Sequence, residues 1–380
     1  MKTNHFDVIV VGAGPGGATA AFELAKAGVK TLLIEKQKLP RHKTCGGGLT
    51  YKVASALPFE ISSAVERIIT SFVLTYKMSR PRVLRSRDPL VYMVRRSEFD
   101  NLLTCRAVDI GARLLDETTC EDVILHDRRV SVVTSHGSYS ANFLIGADGA
   151  MGITARASGL MRDRVVLPAI ENEVEVPSHV AEYWQDKMSL DLGTLRASYG
   201  WIFPKEDHFN VGVGGFGHRS DFARHLKTYD HEHLNRRVPD RVCIRRTFGY
   251  ILPLRRKNAS IQQGRVLLIG DAAGLVEALT GEGIYYAIRS GQLAAHAIAR
   301  DTHMEYQTSV DRELMPNLLL ARHYAALYRW LPGLCYFFSL YSQSIWNALC
   351  KTLRGEYQIH EVRRQLGLLG KIADLLPAYA

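Results

Sequence analysis

The sequence predicts an α/β protein: a Rossmann-like dinucleotide-binding domain interleaved with a mixed-sheet substrate domain, followed by a helical C-terminal region. Three observations predict it. The chain opens as strand, glycine turn, helix, strand, which is a βαβ unit. Two more apolar strands with glycine exits, "LIGADGA" and "VLLIGDAAG", return far downstream, so the first domain is discontinuous. The segment 306–380 spaces its apolar residues at helical intervals, with Trp, Tyr, Phe and Leu crowded between Tyr324 and Leu353.

Taken in order, "DVIVVGAG" is a short apolar run stopped by glycines and reads as a buried strand. "PGGATAAFELAKAG" is rich in helix formers and closed by Gly28, and "KTLLIEK" is the next strand. A helix is expected over "RRSEFDNLLTCRAVDIGA". The alternating segments "EDVILHD", "RVSVVTSH" and "SYSANFLIGADGA" read as a meander returning to a buried strand. The stretch from Pro168 to Val213 is strand-rich, and "EGIYYAIRSGQLAAHAIA" is a helix. The expected division is 1–75, 95–165 and 255–305 for the dinucleotide-binding domain, 76–94 and 166–254 for the substrate domain, and 306–380 for the helical region.

Length and composition bound the function. The chain has 380 residues, 47% hydrophobic and 23% charged, enough to bury a sizeable core. The net charge of +10 favours an anionic partner, whether nucleic acid, an acidic membrane surface or a phosphorylated substrate. Its basic residues are dispersed and no nucleic-acid module is visible, so nucleic acid is set aside. Six scattered cysteines without a CxxC pair favour a reduced, cytoplasmic chain; no metal site is expected. No signal peptide and no run of about 18 apolar residues is present.

"VIVVGAGPGG" holds G-x-G-x-x-G at Gly12, Gly14 and Gly17, between a strand and a helix. Gly12 permits the tight turn, Gly14 lets the backbone approach a pyrophosphate, and Gly17 lets the helix pack on the strand. The helix N-terminus offers oriented N–H groups to phosphate. Glu35 ends the next strand at about the 20-residue offset of a ribose-binding acid. Ala13, Pro15 and Gly16 within the turn, and Lys36 after the acid, complete the expected cofactor contacts. The motif suits FAD or NAD, and the acid at Glu35 disfavours a 2′-phosphate.

The ordered trio of GxGPxG, the G-A-D-G around Asp148 and the G-D-A-A-G around Asp271 followed by "GEGI" resembles the FAD-dependent group that includes aromatic hydroxylases and geranylgeranyl reductases. The resemblance covers residues 6–300. It implies that Asp271 binds the flavin ribityl, and that Gly281, Gly283 and Ile284 set a helix N-terminus against the isoalloxazine. It further implies that Asp148 is structural and near the cofactor, and that Arg96 of "RRSEFD" lies near the flavin phosphates. A second G-x-G-x-x-G, at Gly212, Gly214 and Gly217, reads instead as a strand of the substrate domain, because no strand with an acid follows it.

Tyr199, Trp201 and Phe203 alternate in "YGWIFPK" and share one strand face, either as sheet core or as the wall of an apolar substrate channel. This Y-x-W-x-F-P-K, with "KTCGG" at Cys45, Gly46 and Gly47, resembles the geranylgeranyl reductase branch; the W-x-W-x-I-P of flavin halogenases is absent. The resemblance implies saturation of isolated C=C bonds in a polyprenyl lipid or prenyl diphosphate. NAD(P)H or reduced ferredoxin would be the electron source, and hydride would leave reduced flavin N5. An unactivated alkene is a poor hydride acceptor, so a dry site with an acid is required. Cys45 is a candidate acid, although a thiol is a feeble one and flanking Arg41 and Lys43 favour thiolate. Lys43 and Lys205 are candidates for a diphosphate or NADPH phosphates. The rivals are a flavin monooxygenase on an apolar substrate and a non-catalytic flavin-bound lipid-binding protein. For "YRWLPGLCYFFSLYSQSIWNALCKTLRG" two readings stand: helices that close a substrate tunnel, or a monotopic surface at the inner face of a membrane.

Overall fold

A computed structural model describes residues 5–217, 219–228, 243–357 and 361. Two large sheets organise them. The first is built on a parallel core in the order Val266–Leu268, Gly137–Gly146, His5–Val11, Thr31–Ile34, Arg113–Leu115. The apolar strand His5–Val11 lies at its centre, where Val8, Ile9 and Val10 are wholly buried, as a doubly covered parallel strand requires. The meander Cys120–Leu125, Val130–Thr134 and Gly137–Gly146 hangs antiparallel from the same sheet.

Two helices pack on this sheet and on each other through small residues. Pro15–Lys26 begins directly after the glycine turn with Pro15 in its first turn, where a missing N–H costs nothing. Ile284–Ala299 crosses it so closely that a Cβ at Gly291 would stand 2.5 Å from the Gly16 carbonyl oxygen. Any side chain there would push the helices apart, so the glycines set how near the two helix N-termini approach.

The second sheet has seven strands in the order Cys243–Arg255, Arg164–Glu175, Phe209–Gly215, Ser198–Pro204, Lys187–Leu192, Ser71–Tyr76, Ser79–Arg85. All pairs are antiparallel except Lys187–Leu192 with Ser71–Tyr76. The boundary expected after residue 75 falls inside a strand, because Ser71 already pairs with Lys187. Gly48–Thr50, Val91–Val94 and Val65–Ile69 form a third, small antiparallel sheet.

Gly212 and Gly214 of the second glycine motif lie in the antiparallel strand Phe209–Gly215 and Gly217 just beyond it, and these glycines serve packing. A Cβ at Gly212 would stand 2.1 Å from Cζ2 of Trp201, so the indole lies flat over that backbone. The helices Met315–Trp330, Pro332–Tyr341 and Gln343–Arg354 are pinned to this sheet by polar tips of aromatic residues. Tyr328 donates to the Ser198 carbonyl at 2.8 Å, and Trp346 Nε1 donates to that of Arg85 at 3.0 Å. Among the described residues no helix is long and apolar enough to cross a membrane.

Candidate functional site

A continuous cavity of about 620 Å³ runs between the two sheets. At one end it touches Gly14, Pro15, Gly16 and Gly17 and the turn Ile269 to Asp271; at the other it reaches Leu349 and Leu353 of the last helix. A cleft between sheets collects residues from distant parts of the chain, and here it collects most of those singled out above.

The glycine turn is shaped to leave room on one side only. Gly12 has φ +105°, and a Cβ there would stand 2.3 Å from the Ala147 carbonyl oxygen; at Gly17 it would stand 1.9 Å from that of Gly12. At Gly14 a Cβ would meet nothing within 4 Å, so this backbone faces open cavity. That is the cradle a pyrophosphate needs. Ala13 is buried behind the turn and donates its N–H to Glu35 at 3.0 Å. Glu35 also accepts from the Gln37 N–H at 3.2 Å and from Arg41 at 3.2 Å. Gly12, Ala13, Glu35, Gly47 and Asp148 lie behind the cavity wall, and Lys36 is exposed and away from it.

Asp148 caps the helix Ile153–Ala157: its carboxylate accepts the Thr154 N–H at 2.9 Å and the Thr154 hydroxyl. Burial raises its pKa against those hydrogen bonds. Asp271 lines the cavity and accepts the Tyr250 hydroxyl at 3.0 Å. Gly281, Gly283 and Ile284 line it too, with Gly283 as the N-cap of the long helix. Their loop is organised by buried Glu277, which accepts the N–H groups of Leu279 (2.6 Å) and Thr280 (3.1 Å). The Tyr199 hydroxyl donates to the Thr280 carbonyl and so ties this loop to the aromatic strand.

Three cross-strand rows of the seven-stranded sheet face the cavity. Opposed residues of an antiparallel pair point to the same face. One row runs Leu74, Leu190, Trp201, Gly212, Glu171. A second runs Leu192, Tyr199, Gly214, Ala169, Tyr250. The third includes Phe203, opposite Asn210. Tyr199, Trp201 and Phe203 therefore form one wall, with ring centroids 5.8 and 6.1 Å apart. Trp201 Nε1 donates to Asn210 Oδ1 at 2.7 Å, so the indole is held at both face and edge.

The Cys45 loop passes against this wall. A Cβ at Gly46 would stand 2.8 Å from the Phe203 ring. At Gly47, with φ +64°, it would stand 2.2 Å from the Val94 carbonyl oxygen. Cys45 Sγ accepts the Gly47 N–H at 3.4 Å and lies against the Arg96 guanidinium. Arg96 is forked onto buried Asp100 at 2.8 and 2.9 Å. Burial disfavours its charge, but Asp100 and Cys45 hold its pKa above the ordinary value.

Two expectations change here. Arg41 bridges Glu35 and Asp100 instead of the thiol, and Arg96, 51 positions further along the chain, joins Lys43 as a cation acting on Cys45. Lys205 is not available to a phosphate. It is 3% exposed, and its ammonium donates to the carbonyls of Gly47 (3.1 Å) and Val94 (2.9 Å), with burial pushing its pKa down to about 8. Lys43 lines the cavity over the Tyr250 ring, 3.3 Å from its centroid, and burial with nearby Arg96 lowers it to about 8.

Glu171 was not singled out from the sequence. Its Oε1 accepts the Cys45 backbone N–H at 2.9 Å, and burial pushes its pKa up to about 7 against that bond, the Asn210 amide and the two lysines. The available signal was weak: Glu171 is one of three glutamates at alternating positions in the strand "VVLPAIENEVE".

A family model described as the FAD binding domain matches residues 5–303. The chain is 30% identical over 332 residues to the chloroplastic geranylgeranyl diphosphate reductase of Oryza sativa subsp. japonica, a match covering 81% of this chain and 70% of that protein. It is 31% identical over 314 residues to the digeranylgeranylglycerophospholipid reductase of Methanothrix thermoacetophila, covering 77% of each. The crystal structure of a geranylgeranyl bacteriochlorophyll reductase-like protein from Thermoplasma acidophilum shares the fold, with a TM-score of 0.79 at 23% identity over 96% of this chain and 99% of that one. By the span of the FAD-binding match and the extent of these relatives, the chain is an FAD-dependent oxidoreductase of the geranylgeranyl reductase family.

Proposed function

We propose that the protein saturates isolated C=C bonds of a polyprenyl chain carried by a lipid or a diphosphate. The observation that carries this reading is the single cavity that joins a dinucleotide cradle to a long apolar wall. Reduced FAD supplies the hydride for such a reaction. The Gly12 to Gly17 turn and the helix N-terminus behind it would hold the pyrophosphate, and Glu35 the ribose, displacing or sharing its bond to Arg41. Asp271, Gly281, Gly283 and Ile284 would hold the ribityl and ring, and Arg96, anchored by Asp100, would face the phosphates or the ring edge.

Tyr199, Trp201 and Phe203 would orient the prenyl chain and exclude water, since a charge-separated addition to an alkene competes poorly in a wet site. Leu74, Leu190 and Leu192 continue the apolar surface toward Leu327, Leu349 and Leu353. NAD(P)H or reduced ferredoxin would deliver electrons. The location of the second glycine motif in an antiparallel sheet supports a donor that visits without a Rossmann domain of its own.

The C-terminal helices support a peripheral lipid contact. Pro332–Tyr341 turns Cys335 to the cavity but leaves Phe337 and Tyr341 51% and 65% exposed, near exposed Trp330. Arg196 lies over the Trp330 ring, a cation at the edge of an aromatic patch.

The test is anaerobic turnover of geranylgeranyl-type substrates by FAD-loaded protein, read by mass spectrometry. The expected product gains two hydrogens per reduced bond without oxygen consumption. Oxygen-dependent hydroxylation would replace this reading with a monooxygenase, and flavin that is never reoxidised by any prenyl alkene would leave a lipid-binding protein.

A further inference from the structure

Four carboxyl groups line the cavity, and three are committed. Glu282 is paired with Lys52 at 2.6 Å and accepts the Thr50 hydroxyl. Both oxygens of Glu277 cap the loop before the long helix. Asp271 accepts the Tyr250 hydroxyl at the cofactor end. Glu171 differs. Among the described residues it makes no ion pair within 4 Å, it is 5% exposed, and it lies on the cavity face in the same cross-strand row as Leu190 and Trp201.

Gly212 stands between Trp201 and Glu171 in that row and carries no side chain, so the indole covers the gap, and Asn210, which accepts from Trp201 Nε1 and bonds the carboxyl, links the two. Two contacts hold it, one of them from the Asn210 side-chain amide. The backbone N–H of Cys45 donates to Oε1 at 2.9 Å, which brings the carboxyl to the loop that passes the flavin end of the cavity. The Cys45 sulfur, by contrast, accepts a hydrogen bond from Gly47 and rests on a guanidinium, contacts that use it as an acceptor.

We infer that Glu171 is the acid that protonates the alkene, and that Cys45 is a positioning residue whose backbone N–H aims that carboxyl. This rests on the alkene-reducing function proposed above. The π pair of the alkene takes the carboxylic proton and forms one C–H bond. The carbon left electron-poor would take a hydride, with both electrons, which reduced FAD would supply. Glu171 is left as carboxylate and regains a proton from water before the next turnover. Burial brings its pKa to about 7, so a useful fraction is protonated at neutral pH. The groups around it are Lys43 on the Cys45 loop, Lys205 at the end of the aromatic strand, and Asn210 on the neighbouring strand. Further out lie Glu173 on its own strand with His42 at 3.8 Å, and Arg246 opposite Glu173.

The test uses FAD-loaded, full-length wild type, Glu171→Gln, Glu171→Asp and Cys45→Ala, reduced anaerobically and mixed with a geranylgeranyl substrate. Flavin reoxidation is followed by absorbance. Glu171→Gln is expected to retain FAD and to be reduced by dithionite as wild type is, but to reoxidise at least about 100-fold more slowly. The wild-type rate should fall above pH of about 7 with one ionisation, and Glu171→Gln should lose that dependence. Glu171→Asp should recover part of the rate. Cys45→Ala, which keeps the backbone N–H, should keep the pH dependence. A carboxylic C=O infrared band that titrates near neutrality and is absent in Glu171→Gln gives a readout independent of turnover. Reoxidation of Glu171→Gln within threefold of wild type, or loss of the pH dependence only in Cys45→Ala, overturns the assignment. Wild type that is never reoxidised by a prenyl alkene overturns the functional reading and the assignment with it.

Discussion

Replacing Glu171 by Gln should make the protein more stable, and increasingly so as pH rises. The carboxyl is raised from an ordinary 4.5 to about 7 because folding takes it out of water. Between those values the folded chain holds a proton that the unfolded chain has lost, so stability falls as pH rises. The loss is complete once the folded carboxyl itself ionises, above pH of about 7. At 1.36 kcal/mol for each pH unit between those two values, the penalty is capped at about 3 kcal/mol. Most of it accrues between pH 5 and pH 8. Glutamine has no such term, and its amide oxygen can still accept the Cys45 N–H. Urea unfolding of both proteins, followed by tryptophan fluorescence at several pH values, reads this group together with its coupling to Lys43 and Lys205, because uncoupled groups cancel in the difference. A stability difference that stays constant from pH 5 to pH 8 would refute the claim that burial governs this carboxyl.

Three other perturbations test the architecture. Gly17→Ala places a Cβ 1.9 Å from the Gly12 carbonyl oxygen, so the purified variant should lose most of its bound FAD, read as the ratio of flavin to protein absorbance. Gly47→Ala adds a Cβ 2.2 Å from the Val94 carbonyl and 2.7 Å from Lys205 Nζ at a positive φ. It should cost about 2 kcal/mol or more in urea unfolding, by strain and by breaking the lysine tether. Leu190→Trp fills the apolar row beside Trp201 while leaving the glycine turn untouched. FAD content should be unchanged while the longest prenyl chain reduced becomes shorter, measured with a series of substrates. Equal activity on all lengths would place the chain elsewhere.

Local sequence determined the elements whose logic is local. The glycine turn was legible because Gly12 needs a positive φ and Gly17 needs contact with its own turn, and both constraints lie within six residues. The alternation of Tyr199, Trp201 and Phe203 put them on one face before any partner strand was known. The two downstream glycine-ended strands marked the interleaving because each is a buried run with nowhere to go but the first sheet.

What the residues face was decided by pairing register, which periodicity does not contain. Glu171 joins Trp201 only because strands Arg164–Glu175, Phe209–Gly215 and Ser198–Pro204 align Glu171, Gly212 and Trp201 in one row. A slip of one residue would have turned the carboxyl to the opposite face. The same tertiary choice sent Arg41 to Glu35, placed Arg96 beside Cys45 and spent Lys205 on two backbone carbonyls. Sequence sets which groups can do chemistry. The fold, by removing chosen ones from water and satisfying others, selects those that remain able to do it.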